Sequence, residues 1–217
     1  MTSEIKKVLK FPQIDPAISY PGSLAPHRYL LTERKEPMKI LDIGSGKARC
    51  RPYFISMGHE YITLDIQEGI ADVTADMSEI PFEDESFDAV LSTSALQFST
   101  NPAKVIAESF RVLNKGGTFS GSIAFLEPWT WEGNLQVSPG GLFLLLQEQG
   151  FHTSYIWPSW SVFEALNSAM EAAYVEEEDL TRAIAKAEQI FQEICIKNPN
   201  LLWKFAAALN FHAKKRL

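Results

Sequence analysis

The chain has 217 residues, of which 46% are hydrophobic and 22% charged, and these values suit one globular domain with a single sizeable core. Its 20 basic and 27 acidic residues leave a net charge of -7, which disfavours nucleic acid as the main partner. Cys50 and Cys195 have no metal-ligand spacing, no apolar signal segment follows Met1, and no apolar run approaches the roughly 20 residues of a membrane helix. We therefore expect a cytoplasmic protein without a disulfide, a metal site or a membrane segment.

The N-terminal segment is rich in proline. Pro12, Pro16, Pro21 and Pro26 disfavour a long regular helix and predict an extended or turn-rich arm. We assign residues 1–36 to this arm, which could fold over a ligand as a lid, and residues 37–217 to a single domain.

From Lys39 onward, short apolar runs alternate with helical patterns. This alternation predicts an α/β fold with a mainly parallel sheet. The predicted strands lie in "KILDI", "YITLDI", "ADVTAD", "FDAVLSTSAL", "GTFSGSIAF", "HTSYIW" and, as the last strand, "FAAALNFHAKK".

Three helical patterns stand out between these runs. One begins at the N-cap Asn101 with Pro102 at the first helical position, and we expect Gly116 and Gly117 to end it. Another is "SPGGLFLLLQEQG". An insertion at 159–198 is predicted to hold two further helices, and it should cover the acceptor pocket. The second of these helices carries an apolar stripe at alternating four-residue and three-residue spacing: Leu180, Ile184, Ala187, Phe191 and Ile194.

The first predicted strand runs into a glycine-containing loop, "KILDIGSGKARCRP". Gly44 and Gly46 can take positive φ angles or let a ligand approach the backbone. A nicotinamide dinucleotide loop would have its third glycine where Arg49 stands, and the Gly-Lys-Ser/Thr of a nucleotide triphosphate loop is absent. A tight turn without any ligand is the remaining alternative.

Two acidic residues end the next two apolar runs. Asp65 lies 19 residues after Gly46, near the distance at which an acidic residue accepts hydrogen bonds from ribose hydroxyls. Asp76 is followed by Met77, and this pair could flank an adenine ring. A surface aspartate and an ordinary turn are the respective alternatives. The strand in "DESFDAVLSTSAL" should end at the same edge of the sheet.

This series of motifs resembles the class I S-adenosylmethionine-dependent methyltransferases, specifically the small-molecule "methyltransferase type 11" group. The resemblance runs from about Lys39 to Phe151 through "ILDIGSG", "LDI", "ADMSEIPFEDESFDAVLS" and "NPAKVIAESFRVLNKGG". It implies a Rossmann-like, doubly wound sheet with a terminal antiparallel strand, S-adenosylmethionine as cofactor, and in-line methyl transfer to a small molecule.

The resemblance also implies roles for individual residues. Gly44, Gly46 and the backbone of Ser94 would border the methionine part of the cofactor, and Asp42 would orient its amino acid end. Asp65 would hold the ribose. Asp76 and Met77 would border the adenine.

The chain departs from the group's pattern at several positions. Ala48 replaces the third glycine of the loop, which is tolerable if Ala48 has helical backbone angles. Gln97 and Phe98 stand where many relatives have Glu-His, so that imidazole is absent. The short interval after Asp65 also leaves little room for a parallel crossover, and we expect the third strand to be short or irregularly connected.

In-line methyl transfer depends more on alignment of the nucleophile with the methyl carbon than on a base. For a hydroxyl acceptor the best candidate base is His27 in the arm, although an exposed linker histidine is the alternative; Glu127 ranks second. An aromatic or apolar acceptor could stack on a cluster of tryptophans, for which core packing is the competing explanation. That cluster is Trp129, Trp131, Trp157 and Trp160.

The oligomeric state is expected to be monomer or homodimer. Two other functional classes stay open. One is a non-catalytic relative that binds the cofactor or a partner protein, because a fold does not settle function. The other is a nicotinamide-dependent oxidoreductase, which Arg49 disfavours.

Overall fold

The computed structural model describes residues 3–11, 25–34, 36–126, 133–159, 161–163, 165–166 and 178–216. In these ranges no helix combines the length and the apolar character needed to cross a membrane. The helices are α1 (Ser3–Val8), α2 (Ala25–Glu33), α3 (Arg51–Ser56), α4 (Pro102–Val112), α5 (Pro139–Glu148) and α6 (Glu178–Lys197), with 3₁₀ turns at Leu96–Phe98 and Pro199–Lys204. The strands are β1 (Lys39–Ile43), β2 (Glu60–Asp65), β3 (Val73–Thr74), β4 (Phe87–Thr93), β5 (Leu113–Ala124), β6 (Phe151–Pro158) and β7 (Ala208–Lys215).

The seven strands form one sheet in the order β3-β2-β1-β4-β5-β7-β6. The pairs among β1 to β5 are parallel, whereas β7 runs antiparallel to both β5 and β6. The predicted Rossmann-like, mainly parallel sheet with a terminal antiparallel strand is therefore confirmed. The expectation of a short third strand is also confirmed, because β3 has two residues.

The strands are apolar because helices cover both faces of the sheet. On one face, α2 and α3 contribute Leu30, Leu31 and Phe54 to a cluster with Ile40 and Leu91. On the other face, α1, α4 and α5 pack on a larger cluster that includes Leu41, Leu64, Val105, Ile106, Phe119, Leu142, Leu146 and Phe211.

Helix α4 begins as the sequence predicts but ends earlier. The side chain of Asn101 accepts a hydrogen bond from the backbone N–H of Lys104, and Pro102 occupies the first turn. The helix ends at Val112, so the prediction that Gly116 and Gly117 stop it is wrong. Both glycines lie within β5, where a Cβ on Gly117 would come within 2.8 Å of the Asn114 carbonyl oxygen.

Part of the predicted arm is a helix that belongs to the core. Residues Ala25–Glu33 form α2, and its leucines, Leu30 and Leu31, are buried against the sheet. Pro26 is tolerated because it sits in the first turn, where its missing N–H needs no partner. The prediction of an extended arm is therefore wrong for these residues. Residues 12–24 lie outside the described part of the chain, and the division into arm and domain at residue 36 stays a prediction.

Helix α6 buries a narrower stripe than its sequence suggests. Ile184 and Phe191 are buried, but Leu180 and Ile194 are 51% and 46% exposed, and Cys195 is buried instead. Because the helical repeat is 3.6 residues, a strict seven-residue pattern drifts around the helix. Phe191 packs against two rings, with centroid distances of 5.2 Å to both Phe163 and Phe205. The first helix predicted in the insertion falls largely outside the described residues.

Candidate active site

A crevice opens at the carboxyl ends of the parallel strands, where the strand order reverses between β1 and β4. This is the position at which doubly wound sheets bind ligands. Its main cavity has a volume of about 570 Å³, and a smaller cavity of about 250 Å³ shares Gly44 with it. Among the predicted residues, Gly44, Gly46, Asp65, Asp76, Met77 and Ser94 line the main cavity, and His27 and Asp42 line the smaller one.

Glycine occupies the two loop positions for different structural reasons. Gly44 has φ +63°, and a Cβ at this position would collide with the side chain of Ala95. Gly46 has φ +51°, and a Cβ there would meet nothing within 4 Å, so it borders open space in the cavity. Its backbone N–H donates a 2.8 Å hydrogen bond to Asp65 Oδ2. The loop after β1 and the carboxylate after β2 are thus held together.

Ala48 also has a positive φ, of +44°. The condition under which the alanine would be tolerable, helical backbone angles, is therefore not met, because this angle lies in the left-handed region that favours glycine. The loop keeps the conformation of a third glycine although an alanine occupies the position.

The carboxylate of Asp65 keeps hydrogen-bonding capacity. Oδ2 accepts from Gly46, and Oδ1 accepts from the backbone N–H of Gln67 at 3.0 Å. An ionised carboxylate has about four acceptor positions, so two further donors can bind. Asp76 Oδ1 accepts from the N–H of Ser78 at 2.7 Å, which fixes the turn that presents Met77 to the cavity.

Asp42 is a buried carboxyl group at the end of β1. The Tyr61 hydroxyl donates a 2.8 Å hydrogen bond to its Oδ2. Burial raises the pKa of Asp42 to about 7, and the nearby charge of Asp65 adds to this effect, whereas the Tyr61 hydrogen bond opposes it. At neutral pH a cation placed beside Asp42 would favour its ionised form.

His27 lies on α2 in the wall of the smaller cavity. It is only 1% exposed, so it is not an exposed linker histidine. Its Nε2 lies 3.5 Å from Thr93 Oγ1, and its ring contacts Phe54 at a centroid distance of 5.9 Å. Burial lowers the pKa of His27 to about 4, so the imidazole is neutral at pH 7 and is a weak base.

Ser94 follows the end of β4 in a left-handed conformation with φ +51°. Its N–H lies 3.1 Å from both the carbonyl oxygen and the Oγ of Ser122 on β5. These bonds place the backbone of Ser94 at the wall of the main cavity.

Sequence reasoning missed three residues that shape the crevice. Ile66 follows Asp65, lines the main cavity and is 71% exposed. The sequence signal that could have identified it is an apolar residue directly after the polar end of a strand. Ala95 also lines the main cavity, and its side chain leaves no room for a Cβ on Gly44. In the smaller cavity the buried Ser45 hydroxyl has no hydrogen-bond partner among the described residues. No local pattern pointed to Ala95 or Ser45.

The residues predicted for the acceptor side have mixed outcomes. Trp157 is 3% exposed in β6, and its ring centroid lies 6.3 Å from that of Tyr29, so core packing is the explanation that fits this tryptophan. Glu127, Trp129, Trp131 and Trp160 lie outside the described residues.

The sheet order and the antiparallel strand β7 are those of a Rossmann-like fold, and the glycine loop after β1 faces Asp65. Residues 41–120 match a family model described as "Methyltransferase domain". A demethylmenaquinone methyltransferase of Clavibacter sepedonicus is 30% identical over 93 residues, which cover 36% of this chain and 38% of that protein. The chain spans only 17% to 40% of the length of the curated relatives that it matches.

Solved structures with the same fold include a methyltransferase and a cyclase. One is the Burkholderia thailandensis 1,6-didemethyltoxoflavin-N1-methyltransferase, solved with 1,6-didemethyltoxoflavin and S-adenosylhomocysteine. Its TM-score is 0.59 at 17% identity, with 87% of this chain and 76% of that chain covered. The other is the [4+2]-cyclase SpnF, with a TM-score of 0.61 at 15% identity over 87% of this chain and 80% of that chain. At these identities the similarity establishes the fold alone.

Proposed function

We propose that this protein transfers a methyl group from S-adenosylmethionine to a small-molecule acceptor by in-line displacement. The observation that supports this most directly is the carboxylate of Asp65, which receives the Gly46 N–H and still has acceptor capacity toward the main cavity. The B. thailandensis enzyme, which was solved with S-adenosylhomocysteine and 1,6-didemethyltoxoflavin, has the same fold.

The residues of the crevice fit the cofactor along its length. The missing Cβ of Gly46 leaves open space beside Asp65, which suits a ribose with two hydroxyl donors. At the other end, the unpartnered hydroxyl of Ser45 and the buried carboxyl of Asp42 suit a charged amino acid group. Asp76 and Met77 are assigned to the adenine.

When bound, S-adenosylmethionine supplies an activated methyl group on a sulfonium, and displacement requires an acceptor aligned at about 3–3.5 Å. The chain contributes positioning and exclusion of water in this scheme. His27, with a pKa lowered by burial to about 4, is better suited to hold the amino acid end of the crevice than to take a proton from an acceptor. Glu127 remains a proposed second base.

Loss of the Asp65 carboxylate tests the cofactor assignment. Asp65→Ala should weaken S-adenosylhomocysteine binding about ten- to hundredfold, because a charged acceptor of two hydroxyls is worth roughly 1.5–3 kcal/mol. Calorimetry on the folded variants measures this effect. Glu68→Ala is the matched control, since Glu68 is an exposed carboxylate three residues further along the chain and does not line the cavity.

Unchanged affinity in a folded Asp65→Ala protein would remove the ribose assignment. If the wild-type protein bound neither S-adenosylmethionine nor its demethylated product, the whole proposal would fail. A screen of pooled aromatic and apolar metabolites with labelled cofactor then identifies the acceptor.

A non-catalytic or differently reacting protein is the second candidate, and the fold shared with a [4+2]-cyclase favours keeping it. Such a protein would bind the cofactor in the calorimeter and transfer no label in the screen. A cytoplasmic location stays a prediction.

A further inference from the structure

A second large cavity lies at the opposite edge of the sheet from the crevice. Strand β6 runs in the same direction as β5, since both are antiparallel to β7. The first residues of β6 therefore lie at the edge where the parallel strands begin, whereas Gly44 and Asp65 lie where they end. This cavity has a volume of about 670 Å³, and α1, the end of α2, α5 and the first half of β6 surround it. We call it the edge cavity.

A β-bulge shapes the floor of the edge cavity. Thr153 pairs with Ala213 and Tyr155 pairs with His212, so Ser154 is an extra residue on the edge strand. Thr153 lines the cavity and is only 3% exposed, and its hydroxyl has no hydrogen-bond partner within the described ranges. A buried hydroxyl without a partner is unfavourable, so this position suits a ligand oxygen.

The charges around the edge cavity favour an anion. Lys7, Lys10 and Arg216 line it, and none of the three forms an ion pair with an acidic residue in the described part of the chain. Of the two acidic residues in the lining, Glu33 is already engaged by His212 and Lys214. Glu4 is the other. Three cations in one cavity contrast with the net charge of -7 for the whole protein.

We propose that the edge cavity binds a compact organic polyanion, such as a phosphate ester or a tricarboxylate. The volume lies within the roughly 300–1,000 Å³ typical of small-molecule sites. Lysine and arginine donors bind such oxygens by charge-assisted hydrogen bonds. The Thr153 hydroxyl adds a directional contact at the floor. No described residue lines both this cavity and the crevice, so we expect the two ligands not to compete directly.

Titration calorimetry on the full chain, with pyrophosphate and citrate as probes at constant ionic strength, tests the proposal. We expect saturable binding of at least one probe, with one molecule per chain and the same affinity in the presence of S-adenosylhomocysteine. The double variant Lys7→Gln/Lys10→Gln should bind at least about tenfold more weakly. The matched control is Lys186→Gln/Lys197→Gln, which removes two exposed lysines of α6 outside the cavity and should bind as the wild type does.

Thr153→Val provides an independent readout. It keeps the shape of the side chain, so we expect an unchanged or higher melting temperature together with weaker binding of the probe. Binding of pyrophosphate alone points to phosphate esters, and binding of citrate alone points to tricarboxylates. The proposal is wrong if neither probe binds the wild type, if both double variants lose affinity equally, or if S-adenosylhomocysteine displaces the probe.

Discussion

Ala48 adopts a left-handed backbone conformation that is unfavourable for an L-amino acid. The cost of this conformation is roughly 1–2 kcal/mol per residue, and glycine avoids it because glycine has no Cβ. The hydrogen bonds from Ala48 N–H to the Ser45 carbonyl and from Arg51 N–H to the Ala48 carbonyl hold the turn in place. The rest of the loop therefore imposes the conformation on Ala48.

Replacing this alanine should stabilise the protein. For Ala48→Gly the relieved strain exceeds the roughly 0.4–1 kcal/mol that a more flexible unfolded chain costs, so we expect a gain of about 0.5–1 kcal/mol. Thermal unfolding should show a melting temperature about 1–4 °C higher.

The control for this variant is Ala107→Gly in the middle of α4, which should lower stability by about 1 kcal/mol. If both glycine variants were destabilised alike, Ala48 would not be strained in solution.

At the scale of elements, a chain of hydrogen-bonded polar groups, of which two are buried and one is half-buried, connects α2 to the sheet. Glu33 Oε2 lies 2.9 Å from His212 Nε2 on β7, and His212 Nδ1 lies 2.5 Å from Ser120 Oγ on β5. Burial keeps the pKa of His212 below its usual value despite Glu33, so the ring is neutral at pH 7. Nε2–H then donates to Glu33, and Nδ1 accepts from the Ser120 hydroxyl.

The hydrogen-bonded chain of Glu33, His212 and Ser120 predicts how the free energy of unfolding depends on pH. Burial alone would raise the pKa of Glu33, but hydrogen bonds from His212 and Lys214 and the charge of Lys214 outweigh this effect and lower it to about 2. Because the folded pKa is depressed, the stabilisation is complete above the unfolded pKa of about 4.3 and is lost as the pH falls toward 2. The shift corresponds to roughly 3 kcal/mol, and solvent screening of this half-buried carboxylate reduces it. Glu33→Gln should therefore lower the free energy of unfolding by about 2 kcal/mol at pH 7 and by almost nothing near pH 2.

Denaturant unfolding at several pH values measures this difference. Glu36→Gln removes an exposed carboxylate just after α2 and should have little effect at any pH. An equal loss at pH 7 and pH 2 for Glu33→Gln would show that the side chain stabilises α2 by packing and not through its charge.

At the scale of the whole molecule, the insertion raises the question of what its long helix packs against. Phe191 of α6 packs inward on Phe163 and Phe205 of the same chain, whereas Ile190 and Ile194 are exposed. The inward contacts favour packing within the chain over an oligomer interface for the part of the stripe that holds Phe191.

Truncation of this ring tests the arrangement. Phe191→Ala should destabilise the protein by about 3–4 kcal/mol through loss of buried area and creation of a cavity, with no change in mass by light scattering. Ile194→Ala on the exposed side should change stability by less than about 0.5 kcal/mol. A dimer that dissociates on Phe191→Ala would instead assign this ring to a subunit interface.

Much of the fold and of the crevice was predictable because the responsible signals are local. The apolar run at Lys39–Ile43 requires burial on both faces, which only a covered parallel sheet supplies. Asn101 and Pro102 mark a helix start through their own hydrogen-bonding chemistry. Asp65 could be proposed for the crevice because strand ends of a parallel sheet meet at one edge, whatever the path of the connections.

By itself, then, the sequence determined the class of fold, the terminal antiparallel strand that this class implies and the carboxylates at the strand ends. Only the tertiary structure decided that α2 is part of the core, that buried His27 lines the smaller cavity with Asp42, and that Glu33, His212 and Ser120 are joined by hydrogen bonds. Glu33 and His212 are separated by 179 residues, and Ser120 and His212 by 92. Propensity and periodicity act over a few neighbouring residues, whereas such contacts depend on how the whole chain is routed across both faces of the sheet.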